Sequence, residues 1–221
     1  KIVMGEIGFK YREPEDAAYQ AENLKRAENL AHASIEDSQM YVYDYMYGTD
    51  MADAVFQTIN AGFSGCVAWM LDDAMHFKEP GKLKIWGFWN IFGDERFGSE
   101  HEVVRPWFYA WSLICSYLPR GTDFYTVNVS GMDGVKAIAA VYEGKRTIAV
   151  VNVAKEERKV NITAKDFADM DKVRKYVYGE GLFTITGDCT MHPVATDMAF
   201  SPSKGEILKM PGESLILLTE L

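Results

Sequence analysis

Cysteine is scarce in this sequence. Cys66, Cys115 and Cys189 are the only three among 221 residues, odd in number and far apart, so they form no CxxC pair and no disulfide framework. Cys66 and Cys115 sit inside apolar segments and read as core thiols. Positive charge is also in short supply: 23 Lys and Arg stand against 32 Asp and Glu, a formal net charge of -9. Phosphate binding relies on clustered cations, and no cluster occurs here, which argues against a nucleic-acid partner. No apolar run approaches the roughly 20 residues of a membrane helix, so no membrane partner is expected.

Other absences narrow the chemistry. The histidines His32, His76, His101 and His192 are scattered without HExxH spacing, and no metal is expected. No glycine-rich loop of either nucleotide-binding kind is present, and no cofactor is expected. Gly62-Phe63-Ser64-Gly65-Cys66 lacks the final glycine of a serine-hydrolase elbow, and Ser64 precedes a strand instead of following one.

What is present changes character part-way along. The first half reads as α/β. Ile2 to Met4 is a short apolar strand ending at Gly5-Glu6, and Pro14 opens a helix carrying Ala17, Ala18, Ala21, Leu24, Ala27 and Leu30. Ala52, Val55, Phe56 and Ile59 fall at i, i+3, i+4 and i+7, which predicts a helix from Asp50 to Ala61 with Gly62 just beyond its end. The continuous apolar run from Cys66 to Leu71 reads as a strand buried on both faces. Strand, helix, strand in this order is a βαβ unit with parallel strands. A long loop of glycines and aromatics follows, from about Asp72 to Val104, and long loops are often functional. Pro106 then starts a helix with Trp107, Phe108, Tyr109, Trp111, Ile114, Tyr117 and Leu118, apolar on nearly all sides and so expected between two layers.

Beyond Gly121 the period becomes two. Strands are predicted over Tyr125 to Val129, Val135 to Tyr142, Thr147 to Val153, Lys159 to Ala164, Val173 to Tyr178, Leu182 to Thr186 and Ser214 to Thr219. Glycine-bearing turns separate several of them, and no helix intervenes. The expected organisation is therefore an α/β segment over residues 1–120 and an antiparallel β-sandwich over 121–221. Asn128-Val129-Ser130 and Asn161-Ile162-Thr163 fit glycosylation acceptors, though strand packing accounts for both triplets.

With the standard motifs absent, carboxylates and aromatics at strand ends remain. Active sites on parallel barrels lie at the C-terminal strand ends, which would put Glu6, Trp69, Asp72 and Asp73 on one face. On spacing alone, Glu6 reads first as a solvated strand-end residue and Trp69 as core.

Gly5-Glu6-Ile7-Gly8 resembles the seventh strand of the clan A glycoside hydrolases, (β/α)8 barrels whose nucleophile is a Glu followed by an apolar residue and Gly. The likeness continues in order. Met51 to Gly62 resembles the following barrel helix, Gly65 to Asp73 the eighth strand with its sugar-platform Trp, and Arg105 to Trp111 the helix leading out. The remainder, closing with Pro211-Gly212-Glu213-Ser214-Leu215, is similar to the β-sandwich appended to several of these families.

The resemblance implies an α/β segment that is part of a TIM barrel (βαβα), followed by the sandwich. It implies a retaining glycosidase acting on a poly- or oligosaccharide, with Glu6 as nucleophile and Trp69 as platform. Asp72, Asp73 and His76 become candidates to hydrogen-bond sugar hydroxyls. Trp86 and Trp89 become candidates to line the cleft or pack beneath it, with Tyr43 and Tyr45 further candidates. The acid/base of such enzymes lies on the fourth strand, which no segment here matches. A preceding barrel portion or a second chain is therefore expected to complete the barrel, and this polypeptide alone is expected to be inert. Secretion or a periplasmic location is the family's expectation. The alternative is a non-catalytic carbohydrate-binding module in which the sandwich carries the function.

Overall fold

A computed structural model describes residues 1–221 apart from 10, 12, 91, 92, 165, 166 and 168. Strand β1 (Val3–Ile7) and strand β2 (Gly65–Ala68) pair in parallel, with Val3 opposite Gly65 and Ile7 opposite Ala68. Between them in sequence lie helix α1 (Ala17–Glu28) and helix α2 (Tyr45–Asn60). The Gly62 N–H closes the end of α2 on the Ile59 carbonyl, and Gly62 takes φ +85°, a left-handed conformation that glycine adopts without a Cβ penalty.

The segment expected to be one long loop contains structure of its own. Strands β3 (Ala74–Met75) and β4 (Leu83–Lys84) pair antiparallel, and a short helix, α3 (Gly93–Phe97), follows. Helix α4 (Trp107–Tyr117) begins just after Pro106, as the sequence predicts.

The second half is built on a six-stranded antiparallel sheet. Its strands are β5 (Asp123–Tyr125), β6 (Val135–Tyr142), β7 (Lys145–Asn152), β9 (Met170–Tyr178), β10 (Ala195–Phe200) and β12 (Ser214–Thr219). Their order across the sheet is β10-β9-β12-β7-β6-β5. A separate antiparallel pair joins β8 (Arg158–Ile162) to β11 (Glu206–Met210). Along β12, Leu215 and Leu217 enter one core, while Ile216 and Leu218 enter another. Strand β7 divides in the same way: Ala149 and Val151 join the first core, Ile148 and Val150 the second. A strand covered on both faces has apolar residues at every position, which is why these two read as continuous runs.

The first core lies between the sheet and the α/β segment, and α2 sits at its centre. Helix α2 packs against β1 and β2, against β6, β7 and β12 of the large sheet, and against α4. Tyr47, Met51, Ala52, Val55 and Phe56 are all buried. Burying each of the larger side chains contributes about 1.5–3 kcal/mol. The element between layers is therefore α2, where the aromatic density of α4 had suggested α4. Helix α4 flanks it: Trp107, Tyr109, Ala110, Leu113 and Ile114 are buried, while Cys115 is exposed. Cys115 is thus not a core thiol, because it falls on the outer side of the helix, and Cys66 is only half-buried.

Three further expectations are corrected. Tyr125 ends β5 instead of beginning a strand, and residues 126–130 form none. Residues 182–186 make one bridge, Ile185 to Met191, in place of a strand. The Cys66–Leu71 run is not buried on both faces: β2 ends at Ala68, and Val67 is 54% and Leu71 57% exposed. Each of β1 and β2 is paired only to the other, so their outer edges carry no strand among the described residues.

Candidate active site

The strand pair positions the site. Glu6 is exposed near the end of β1, and the Trp69 backbone N–H bonds the Ile7 carbonyl at 2.7 Å, carrying the parallel pairing one residue past β2. Gly8 lets the chain pass between the Trp69 backbone and the Trp86 ring. A Cβ at that position would lie 3.1 Å from the Trp69 carbonyl oxygen and 3.6 Å from the Trp86 ring. Glu6, Trp69 and Trp86 consequently line one open cleft of about 590 Å³. The peptide between Trp69 and Met70 is cis. Trp69 is 42% exposed, an indole presented to solvent, whereas Trp86 is buried apart from the edge it offers the cleft. The Trp86 Nε1–H bonds the Asp37 carbonyl at 2.7 Å, which fixes the orientation of the ring.

The other candidates from the sequence do not line this cleft. Asp73 is buried in a two-pronged ion pair with Arg105. Nη1 of Arg105 lies 2.7 Å from one carboxylate oxygen, and Nη2 lies 2.5 Å from the other. The backbone N–H groups of Trp86 and Gly87 also donate to Asp73. Burial works against the Arg105 charge, but the hydrogen bonds and the field of Asp73 outweigh it and hold its pKa above the ordinary value. Tyr43 belongs to the same cluster, its hydroxyl accepting from Arg105 and its ring lying 4.5 Å from the guanidinium. Asp72 caps the backbone N–H of Asp73. His76 is buried, with Nδ1 accepting the Glu79 N–H at 3.0 Å across the β3–β4 connection. Trp89 is half-buried and bridges Asp72 and Val104 through its backbone. Tyr45 packs against Tyr178 and Phe183 on the side of the large sheet.

The cleft has walls that the sequence reading missed. Phe9, Tyr11, Glu13, Asp16 and Asp37 line it beside Glu6. Tyr11 stacks on Tyr19 with ring centres 5.1 Å apart and meets Tyr41 edge-on at 5.3 Å. Its hydroxyl donates to Asp50 at 2.5 Å. Burial foremost, with added repulsion from Asp53, Glu213 and Asp16, pushes the Asp50 carboxyl up to about 6 despite the Tyr11 bond. Burial likewise raises the Tyr11 hydroxyl, which stays protonated. The alternation of Phe9 and Tyr11 just after Gly8 was the available signal, since rings so close behind a strand-end carboxylate come to lie beside it. Among the described residues no cluster of three or more metal-ligating side chains occurs, and no helix is long and apolar enough to cross a membrane.

No protein-family model matches this chain, and no curated protein matches it. Solved structures do. The chain is similar to Xyn30A, a glycoside hydrolase family 30 subfamily 8 xylanase from Clostridium acetobutylicum, with a TM-score of 0.60 and 12% identity over 99% of this chain and 48% of that one. The bifunctional glucanase-xylanase CelM2, from a metagenome library, gives a TM-score of 0.56 and 14% identity over 99% of this chain and 43% of that one. An arabinose-bound family 51 α-L-arabinofuranosidase gives a TM-score of 0.58 and 11% identity over 85% of this chain and 29% of that one. The fold is similar to that of glycoside hydrolases. At these identities the likeness is one of architecture, and the chain spans about half the length of the xylanase and less of the other two.

Proposed function

We propose that this chain is the C-terminal part of a retaining glycoside hydrolase, with Glu6 as the nucleophile and Trp69 as the platform beneath the sugar ring. One observation carries the reading. An exposed carboxylate at the end of a parallel strand shares a cleft with an exposed indole from the neighbouring strand end. In the first step a Glu6 carboxylate oxygen attacks the anomeric carbon as the glycosidic C–O bond breaks, and the leaving oxygen takes a proton from a second carboxyl. In the next step water attacks the same carbon, gives its proton back to that second group, and frees Glu6. Two inversions give net retention.

The second carboxyl comes from a barrel portion outside this chain, supplied by a preceding segment or a second chain. The exposed apolar side chains of Val3 and Val67 on the β1–β2 pair, with Ile2 and Leu71 flanking it, and the pair's open outer edges support such a covering. The substrate is a poly- or oligosaccharide, and the names of the similar enzymes make xylan- and glucan-type chains the first to try. The barrel reading of residues 1–120 and the sandwich reading of 121–221 belong to the same proposal, as does secretion or a periplasmic location.

The test is labelling of the longest native form with a panel of 2-deoxy-2-fluoro glycosides, followed by peptide mass mapping. A sugar adduct on the peptide containing Glu6, absent in Glu6→Gln, is the expected result. A broad panel that leaves Glu6 unlabelled in an otherwise active preparation removes it as nucleophile. A second reading, a carbohydrate-binding module, draws on a trench of about 810 Å³ along β6 and β8, edged by Asn128, Asn161 and Thr163. It predicts glycan binding that Glu6→Gln and Trp69→Ala leave intact.

A further inference from the structure

A second cavity opens beside the cleft and shares one wall with it. Its volume is about 250 Å³, and Tyr11 lines both spaces, so that ring is the wall they share. Helix α1 supplies Tyr19, Gln20 and Asn23 to the second cavity, and the turn before α2 supplies Gln39.

Asn23 and Gln39 are each held through both a donor and an acceptor, and Gln20 through one donor. Asn23 donates to the Ser38 carbonyl at 2.9 Å and accepts the Met40 N–H at 2.7 Å. Gln39 donates to the Phe9 carbonyl at 2.7 Å and accepts the Tyr41 N–H at 3.2 Å. Gln20 donates to the Glu13 carbonyl at 3.1 Å. A side-chain amide carries two N–H donors and two acceptor lone pairs. Among the described residues, each of these amides thus has a donor and an acceptor beyond the bonds that orient it. Stacked Tyr11 and Tyr19 bring amphipathic ring surface to the same space. Paired donors and acceptors beside an aromatic wall complement the ring and hydroxyls of a sugar, and locked side chains lose little freedom on binding it.

We infer that this second cavity is a distal subsite for a further sugar of the same glycan, reached from the Glu6 cleft past Tyr11. The inference rests on the glycosidase reading above and deepens it: the substrate is gripped as an extended chain several sugars long.

The test is calorimetric titration of the longest native form with β-1,4-linked xylose and glucose oligomers of one to six units. The wild-type protein is compared with Tyr19→Ala, Gln20→Ala and Trp69→Ala. Affinity is expected to rise with chain length. Either Tyr19→Ala or Gln20→Ala lowers the ratio of long- to short-oligomer affinity, Tyr19→Ala by about tenfold. Gln20 lies at a half-buried helix position, so its variant keeps the test open should Tyr19→Ala fold poorly. Binding that Trp69→Ala weakens, but that is independent of length or keeps its length dependence in both α1 variants, overturns the subsite and leaves the Glu6 cleft standing. Binding of no oligomer at all overturns both.

Discussion

The hydroxyl of Tyr178, on β9, occupies the place that a Cβ on Gly48 of α2 would take. That contact sets how closely the helix approaches the large sheet, and it is secured by a hydrogen bond from Tyr178 to the Tyr45 carbonyl at 2.9 Å. Gly48→Ala gains up to about 1 kcal/mol of helix propensity but forces the ring out of place. A net loss of about 1–3 kcal/mol is expected in urea unfolding. Tyr178→Phe alone costs about 1 kcal/mol through the lost bond. The double variant loses less than the sum, because the hydroxyl that collides with the new methyl is gone. Strict additivity would mean that the two positions do not touch.

Asp73 and Arg105 make a different prediction. Both side chains are fully buried, so Asp73→Ala leaves a guanidinium without its counter-charge in the interior. A loss of about 3–5 kcal/mol is expected. Arg105→Lys is also destabilising, since an ammonium cannot reproduce the two-pronged geometry. Were Asp73 a sugar ligand instead, its substitution would change glycan affinity with stability nearly unaltered. Parallel denaturation and binding measurements separate the two roles.

Asp50 gives a pH dependence with a defined sign. Its folded pKa of about 6 lies above the ordinary carboxylate value of about 4, so the folded chain holds a proton that the unfolded chain releases between these limits. Its contribution to stability is greatest below about pH 4, is lost as pH rises to about 6, and is flat above that, a span of about 1–3 kcal/mol. Asp50→Asn removes this slope. The variant's stability should therefore gain on the wild type between about pH 4 and pH 6, as read by denaturant unfolding across that range. Parallel curves would show that Asp50 titrates normally.

Trp69 is expected to matter for binding more than for folding. Its half-exposed ring faces the cleft, and Trp69→Ala should weaken oligosaccharide binding about tenfold, with Trp69→Phe retaining part of the affinity. The part of the tryptophan fluorescence change that Trp69→Ala abolishes reports this ring among the five tryptophans. An unchanged dissociation constant in Trp69→Ala would remove it as a sugar platform.

The parts of the fold legible in the sequence are those set by local chemistry. Gly62 at the end of α2, Pro106 before α4 and the apolar run of β6 all announce themselves, because turn geometry and strand composition depend on near neighbours. The lost strands follow from the same logic. Strand β11 has exposed Ile207 on its outer side, and β10 pairs with β9 through register shifts, so neither shows a clean alternation. Conversely, Val127 and Val129 alternate well, but no neighbour pairs with them among the described residues.

At the candidate site the division is similar. The sequence by itself determined that Glu6 ends a strand parallel to the one before Trp69, since a βαβ unit admits only that arrangement. It also determined that glycine at 8 leaves room beside them. Tertiary structure alone decided which of the neighbouring polar groups face the cleft. Asp73 turned inward to Arg105, 32 residues away, and His76 turned into its own hairpin. Tyr11, which spacing did not single out, stands between two cavities because Asp50 on α2 holds its hydroxyl. Burial partners at long sequence separation set these orientations, and no local pattern encodes who those partners are.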